Sequence, residues 1–361
     1  MPLARGYRNY RGRTSKGKIA LAVFLVFIIL AALSALAMQR YIAYDENGIP
    51  FFRLSERQTD PAPPAEEAPP VQSPDSSDSL EIIVQEPEEP EAPPAFQVYS
   101  LTTAPLTPAA WEAARAEMGD AFGGVTVTLK DARGAVYFAS QTAAEKAVKT
   151  VQGTTEALRT ITGDENLYAI ARLSCLPDSF APYMNNNPMG LKKKSGQMFR
   201  SGGTTWLDPG KPASRAYLCG LVREIAELGF DEILLTDTGY PIQGELDTIS
   251  YGSDPIEGNL SLLWQDLRQT LEPYGVKLSI ELPESVISDG QEAASGLVLA
   301  RAVSCADRIY AVTEPGQAGI LSNLVLQAES VTENRVQEFL PELTAPDAGW
   351  NGPFLLLPAA E

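Results

Sequence analysis

The chain has 361 residues, with 28 Lys and Arg against 46 Asp and Glu, a formal charge of −18 and no histidine. Without imidazole a Ser-His-Asp or Cys-His catalytic pair, a zincin helix or a His-rich metal site cannot be assembled, and the sequence implies no metal and no other cofactor. The acidic balance argues against nucleic acid as a partner, because phosphate binding takes a basic face, while 44% apolar residues supply core for one large domain or two ordinary ones.

The first 18 residues carry Arg5, Arg8, Arg11, Arg13, Lys16 and Lys18 and no acid, and Ile19 to Met38 follow as an apolar stretch broken by Ser34. At about 1.5 Å per residue such a helix reaches about 30 Å, the thickness of a hydrocarbon core. Residues 1–18 therefore read as a cytoplasmic tail and 19–38 as a transmembrane signal anchor, with the C-terminal bulk outside the cell membrane. Ala35 and Ala37 form an Ala-x-Ala cleavage site, but the apolar run exceeds the roughly 7 to 15 residues of a secretory signal, which favours retention as an anchor. Residues 39–96 read as an extracytoplasmic linker. Its 58–95 portion contains ten prolines, ten acids and no Lys or Arg, a composition that is stiff, self-repelling and too polar to fold, so a disordered stalk is expected.

Residues 97–361 are close to the roughly 250 of a (β/α)8 barrel. Strands are predicted at Val125–Leu129, Leu167–Leu173, Glu232–Thr236, Lys277–Leu282, Arg308–Val312, Leu321–Gln327 and Phe354–Leu357, with Phe96–Leu101 as a candidate eighth. Helices are predicted over Ser214–Leu228, with Ser214 as N-cap and Gly229 just beyond the end, and from Asn259 to Leu271. This alternation implies a parallel sheet with crossovers. The predicted fold is an α/β, TIM-like barrel, complete or lacking a strand, with a doubly wound open sheet as runner-up. Cys175, Cys219 and Cys305 show no C-x-x-C spacing and read as small buried hydrophobes.

Carboxylates recur where strands end: Asp131, Asp237, Glu281, Glu314 and Glu329. A closed barrel would gather these ends on one face. Two carboxylates held at different pKa are what glycoside hydrolysis requires, one protonating the leaving oxygen while the other attacks or activates water. Acids after strands also serve as helix caps and turn formers, so each has a structural reading as well. Arg172, in the apolar strand YAIARLS, is a candidate to orient a carboxylate or a sugar hydroxyl. The connection from Leu176 to Thr205, with Asn185, Asn186, Asn187 and Lys192 to Lys194, reads as a sugar-binding wall or as a plain polar loop. Tyr183, Phe199 and Trp206 are its candidate stacking rings.

The segments VTVTLKDARGAVYFAS (125–140), LYAIARLSCLPD (167–178), TTWLDPGKPASRAYLCGLVREIAELGFDEILLTDTGYP (204–241), YGVKLSIELPE (274–284) and DRIYAVTEP (307–315) carry a resemblance. Over about 120–315 the chain resembles the bacterial putative glycoside hydrolase domain of TIM-barrel type. Lys130 and Asp131 match the family's Lys-Asp, Ala171 and Arg172 its Ala-Arg, Trp206 and Pro209 its Trp-x-x-Pro turn, and Glu281 stands where its later acid is more often aspartate. The resemblance implies a glycosidase with Glu281, Asp237 and Asp131 as candidate catalytic groups, and Arg172, Trp206, Glu314 and Tyr183 as candidate substrate contacts. One departure matters. After ELGFDEI the family shows Phe-Asp-Tyr-x-Arg-Phe-Pro; aligned without a gap, Thr236 falls on that aspartate, Asp237 on the tyrosine and Gly239 on the arginine. A shift of one place turns a strand side chain from the interior toward the helices, unless a bulge or the strand end re-aims Asp237. Beyond about 315 the match is weak and lacks the family's tryptophan-containing C-terminal strand motif. Two functions are expected from this: a membrane-tethered hydrolase of an envelope or external polysaccharide, or a catalytically degenerate barrel that binds such a glycan.

Overall fold

The structure is a computed structural model that describes residues 42–44, 50–52, 96–186, 188–332, 338–347 and 349–358, with backbone alone at 42–44, 50–52 and 329–332. The basic tail 1–18, the apolar segment 19–38 and most of the linker expected at 39–96 lie outside the described residues, as do Asn187 and the side chain of Glu329. Among the described residues no helix is long and apolar enough to cross a membrane. The chain divides into two units, Met1–Pro87 and Glu88–Glu361. In the first, β1 (Ile42–Tyr44) and β2 (Pro50–Phe52) pair antiparallel.

The second unit is built on β3 (Gln97–Leu101), β4 (Gly124–Lys130), β5 (Tyr168–Ser174), β8 (Glu232–Thr236), β9 (Lys277–Glu281), β12 (Arg308–Val312), β13 (Glu338–Leu343) and β14 (Phe354–Leu356). These eight close into a barrel in that order, and every neighbouring pair is parallel. Closure excludes the open doubly wound sheet. Helices α1 (Pro108–Met118), α2 (Thr154–Thr162), α3 (Pro212–Glu227), α4 (Ile256–Leu271), α5 (Glu284–Asp289), α6 (Leu299–Cys305) and α7 (Ala318–Thr332) fall in the crossovers. Two-stranded ribbons β6–β7 (Arg200–Ser201 with Thr204–Thr205) and β10–β11 (Gln291–Glu292 with Leu297–Val298) decorate the connections after β5 and β9.

Strand alternation sorts the side chains into two cores. Val98, Ile170, Leu234, Tyr310, Leu340 and Leu355 fill the barrel interior, whereas Val127, Ala171, Leu235, Ile280 and Ile309 face outward into the cluster shared with the helices. In α4 the inner stripe Leu260, Leu263, Trp264, Leu267 and Leu271 is buried, and each such side chain stabilises the packed state by about 1.5–3 kcal/mol. The helix predicted from Ser214 starts earlier, at Pro212, and Ser214 donates instead to the Met189 carbonyl at 2.7 Å. Gly229 follows that helix with φ +91°, the left-handed turn expected of it.

Two expectations are corrected. Leu321–Gln327 is not a strand but part of α7, because Leu321, Leu324, Val325 and Ala328 recur at helical spacing on the core side. The missing strand is Glu338–Leu343, whose Pro341 disguises it: proline lacks the N–H of a central ladder and normally argues against one. The candidate eighth strand at 96–101 is the one that closes the barrel, between β14 and β4. Cys175 and Cys305 are buried, Cys219 is half-buried, and all three are free.

Candidate active site at the C-terminal mouth of the barrel

Ile170 and Leu234 point inward, so by period two Arg172, Ser174 and Thr236 do as well; the outward Leu278 and Ile280 put Ser279 and Glu281 inside, and Leu340 does the same for Glu342. The C-terminal third of the interior is therefore polar. Arg172 donates from Nη1 to Glu342 Oε2 at 2.9 Å and from Nη2 to Glu281 Oε2. Burial opposes the Arg172 charge, but Glu342 and Glu281 together hold it above its ordinary pKa. One guanidinium thus gathers two carboxylates from β9 and β13.

Glu281 is pushed up to about 8, first by burial and then by the negative charge of Glu342, against the opposing pull of Arg172. Burial and the neighbouring carboxylate both favour its protonated form. Asp237 is different. It follows β8 at φ +51°, a left-handed conformation that costs a non-glycine residue about 1–2 kcal/mol. This breaks the strand alternation, and the carboxylate turns back over the mouth, where Oδ2 accepts from Ser174 Oγ at 2.6 Å and from Thr236 Oγ1 at 3.3 Å. Asp237 is exposed.

Both acids line one cavity of about 300 Å³, together with Trp206, Tyr240, Ile242 and Glu292. The Tyr240 hydroxyl accepts from Asn259 at 3.1 Å and reaches Asp208 Oδ1 at 3.4 Å, fixing that wall. The hairpin β10–β11 supplies Glu292, Ser295 and Leu297 to the opposite side. A Cβ at Gly239 would lie 2.9 Å from Ser295 Cβ. A side chain at this position would thus run into the hairpin.

The remaining expected site residues are placed apart. Asp131 Oδ1 accepts from the amides of Arg133 and Ala135, both at 2.9 Å, and Oδ2 from the Tyr137 hydroxyl at 2.8 Å. It shapes the turn after β4 and is not among the residues lining the cavity. Its neighbour Lys130 is fully buried, donating to the carbonyls of Ser174 at 2.7 Å and Pro177 at 2.9 Å and pairing with Asp178 at 3.4 Å. The family's Lys-Asp step therefore braces the loop after β5. Gly134 fits beneath that loop only for want of a Cβ, which would meet the Asp178 carboxyl at 2.5 Å. Glu314 is exposed at the turn after β12. Tyr183 is also exposed, and its hydroxyl accepts from Arg200 at 2.6 Å. Of the rings in the 176–205 connection, Trp206 lines the cavity, while Phe199 is buried and offers no face to a sugar. The connection is laced by Leu191 N to Trp206 O at 2.8 Å and Phe199 N to Leu191 O at 2.9 Å, so it forms a folded wall. Among the described residues no group of Cys, Asp and Glu is placed to hold a metal ion.

Sequence reasoning missed Glu342, Glu292 and Ser174. For Glu342 a signal existed: in EFLPEL, Glu338, Leu340 and Glu342 share one face of a strand.

No curated protein sequence matches the chain. Among solved structures, it is similar to the glycoside hydrolase domain of PgaB (BpsB) from Bordetella bronchiseptica, at 15% identity and TM-score 0.52, over 74% of this chain and 94% of that one. It is also similar to a hypothetical protein from Ruminiclostridium thermocellum, at 23% identity and TM-score 0.42 over 52% of this chain and 96% of that one. A third similarity is to a chitinase from Chromobacterium violaceum, at 14% identity and TM-score 0.36 over 70% and 71%. The Bordetella likeness bears on the fold alone. The family described as "Putative glycosyl hydrolase domain" matches residues 116–314, from α1 through the turn after β12, which is more than half of the chain, and the chain belongs to that family.

Proposed function

We propose that the barrel hydrolyses glycosidic bonds of a polysaccharide by carboxylate chemistry, with Glu281 as proton donor and Asp237 as the partner that attacks or activates water. The observation that supports this most is the contrast between the two acids: one half-buried with its pKa raised by its surroundings, the other exposed and held by hydroxyl donors, in one cavity. Such a split in environment is what acid and base roles require, and it supports this reading. Trp206 offers a ring to a pyranose, and Arg172 orients Glu281. The charged residues lining the cavity, Asp237, Glu281 and Glu292, are all acidic, which disfavours a polyuronate substrate. Asp131, Glu314 and Tyr183 have no part in this assignment.

The apolar stretch 19–38 tethers the chain to the cell membrane in this reading, with residues 1–18 in the cytoplasm and the barrel outside, facing envelope glycan. Protease added to intact protoplasts should cut the Pro/Glu-rich linker; full protection of the C-terminal unit would refute the orientation. The test of activity is a hydrolysis screen of glycans that the purified chain binds, run beside Glu281→Gln. Loss of turnover with binding retained is expected. Unchanged turnover would overturn the assignment.

Thr236, standing where the family's aspartate is expected, favours a second reading, a barrel that binds glycan without turnover. Saturable glycan binding with no product from any bound glycan would select it.

A further inference from the structure

Glu342 lies beyond residues 116–314, the part matched by the family, yet it is fully buried beneath the mouth of the barrel. Its side chain is fully inaccessible. Oε2 accepts from Arg172 at 2.9 Å, but the equally buried Oε1 has no hydrogen-bond partner. A buried carboxylate oxygen without a donor costs free energy, and native interiors rarely leave one. The other carboxyl held by the same guanidinium is Glu281.

We propose that Glu342 is a positioning residue, whose orphaned oxygen takes up the proton carried by Glu281, so that the two carboxyls share one proton above Arg172 and Glu281 is kept as a proton donor. This deepens the reading of Glu281 given above and rests on it for its catalytic meaning. Two adjacent carboxylates cannot both ionise cheaply, so the pair retains one proton where a lone glutamate would lose it. Arg172 balances the single remaining charge. The groups facing Glu281 from the surrounding elements are Arg172 on β5, Asp237 after β8, Tyr310 on β12, Glu342 on β13 and Glu292 on the hairpin. Tyr310 is committed elsewhere, its hydroxyl donating to Glu232 at 2.9 Å. Asp237 and Glu292 line the open cavity, where solvent screens them, whereas Glu342 acts on Glu281 from the fully buried side.

The test follows the carbonyl stretch of a protonated carboxylic acid by difference infrared spectroscopy on the full chain as pH is raised. At pH 7 the parent protein should show this band and Glu281→Gln should lack it. In Glu342→Gln, which keeps the shape but removes the competing charge, the band should titrate away at least one pH unit lower, a tenfold loss of proton affinity. Glu342→Asp keeps the charge and should hold the midpoint near that of the parent. A parent without the band at pH 7, a midpoint unmoved by Glu342→Gln, or an equal drop in Glu342→Asp would each overturn the proposal. The readout needs no turnover, so a chain that hydrolyses nothing would sink the glycosidase reading and leave the shared proton standing. Where hydrolysis is found, the alkaline limb of its pH profile should fall with the band in Glu342→Gln.

Discussion

The two ends of the barrel carry the same composition and use it differently. At the N-terminal end Arg308 donates from Nε to Glu338 at 3.0 Å and pairs through Nη1 with Glu232. At the C-terminal end Arg172 pairs with Glu281 and Glu342. Each is one arginine with two glutamates drawn from separate strands. Glu232, however, receives three donors, since the hydroxyls of Tyr168 and Tyr310 join Arg308 at 3.0 and 2.9 Å. Its guanidinium partner also rests against two rings, with Arg308 5.5 Å from the Phe96 ring and 5.3 Å from that of Tyr168. Glu342 lacks such donors, and Glu281 faces a cavity. A satisfied ion pair is a plug. An unsatisfied one, with a proton in dispute and an open face, is a site able to do chemistry.

The comparison can be broken first at the C-terminal end. Glu281→Gln preserves shape, so hydrolysis should fall by about 10²–10⁴-fold, the usual contribution of a general acid, without loss of folded protein. A variant that keeps more than a tenth of the parent rate would remove the distinction between the ends. Next in size is Glu232→Gln at the plug. It turns an acceptor of three donors into a group with its own donors and leaves Arg308 with Glu338 alone of its two carboxylates, which should cost about 3 kcal/mol in denaturant unfolding. Any fall in activity should follow the loss of folded protein.

A smaller effect sharpens the contrast through pH. The folded-state pKa of Glu281, about 8, lies above the roughly 4.3 of an unfolded glutamate. Its contribution to stability is therefore fully present below about pH 4 and is lost as pH rises through 8, with a slope of at most about 1.4 kcal/mol per pH unit. Subtracting the stability curve of Glu281→Gln from that of the parent should leave this slope between pH 5 and 8. A flat difference would mean that Glu281 is ionised throughout. Smallest of all, Asp131→Asn loosens one turn and should cost about 1 kcal/mol, on the scale of losing a capping carboxylate, with turnover per folded molecule unchanged. A collapse in rate would bring Asp131 back among the catalytic groups.

Much of the barrel was legible because alternation and helical period act locally. The strands at Glu232–Thr236, Lys277–Glu281 and Arg308–Val312, and the stripe of α4, could be read from neighbouring residues alone. Where two local signals conflicted, reading failed. In 338–343 a proline masked a real strand, and in 321–327 apolar density hid a helix.

By itself the sequence determined the classes of chemistry that an imidazole-free, acidic chain can support, the barrel class, and the placing of acids at strand ends. It also singled out Glu281 and Arg172. Only the tertiary structure decided which acids share a cavity. The left-handed turn at Asp237 brings its carboxylate to the mouth, while Asp131, after β4, is consumed by its own turn. Barrel closure sets Glu342 of β13 against Arg172 of β5, 170 positions away. Charge and burial act through distance in space, and no spacing along the chain records that meeting.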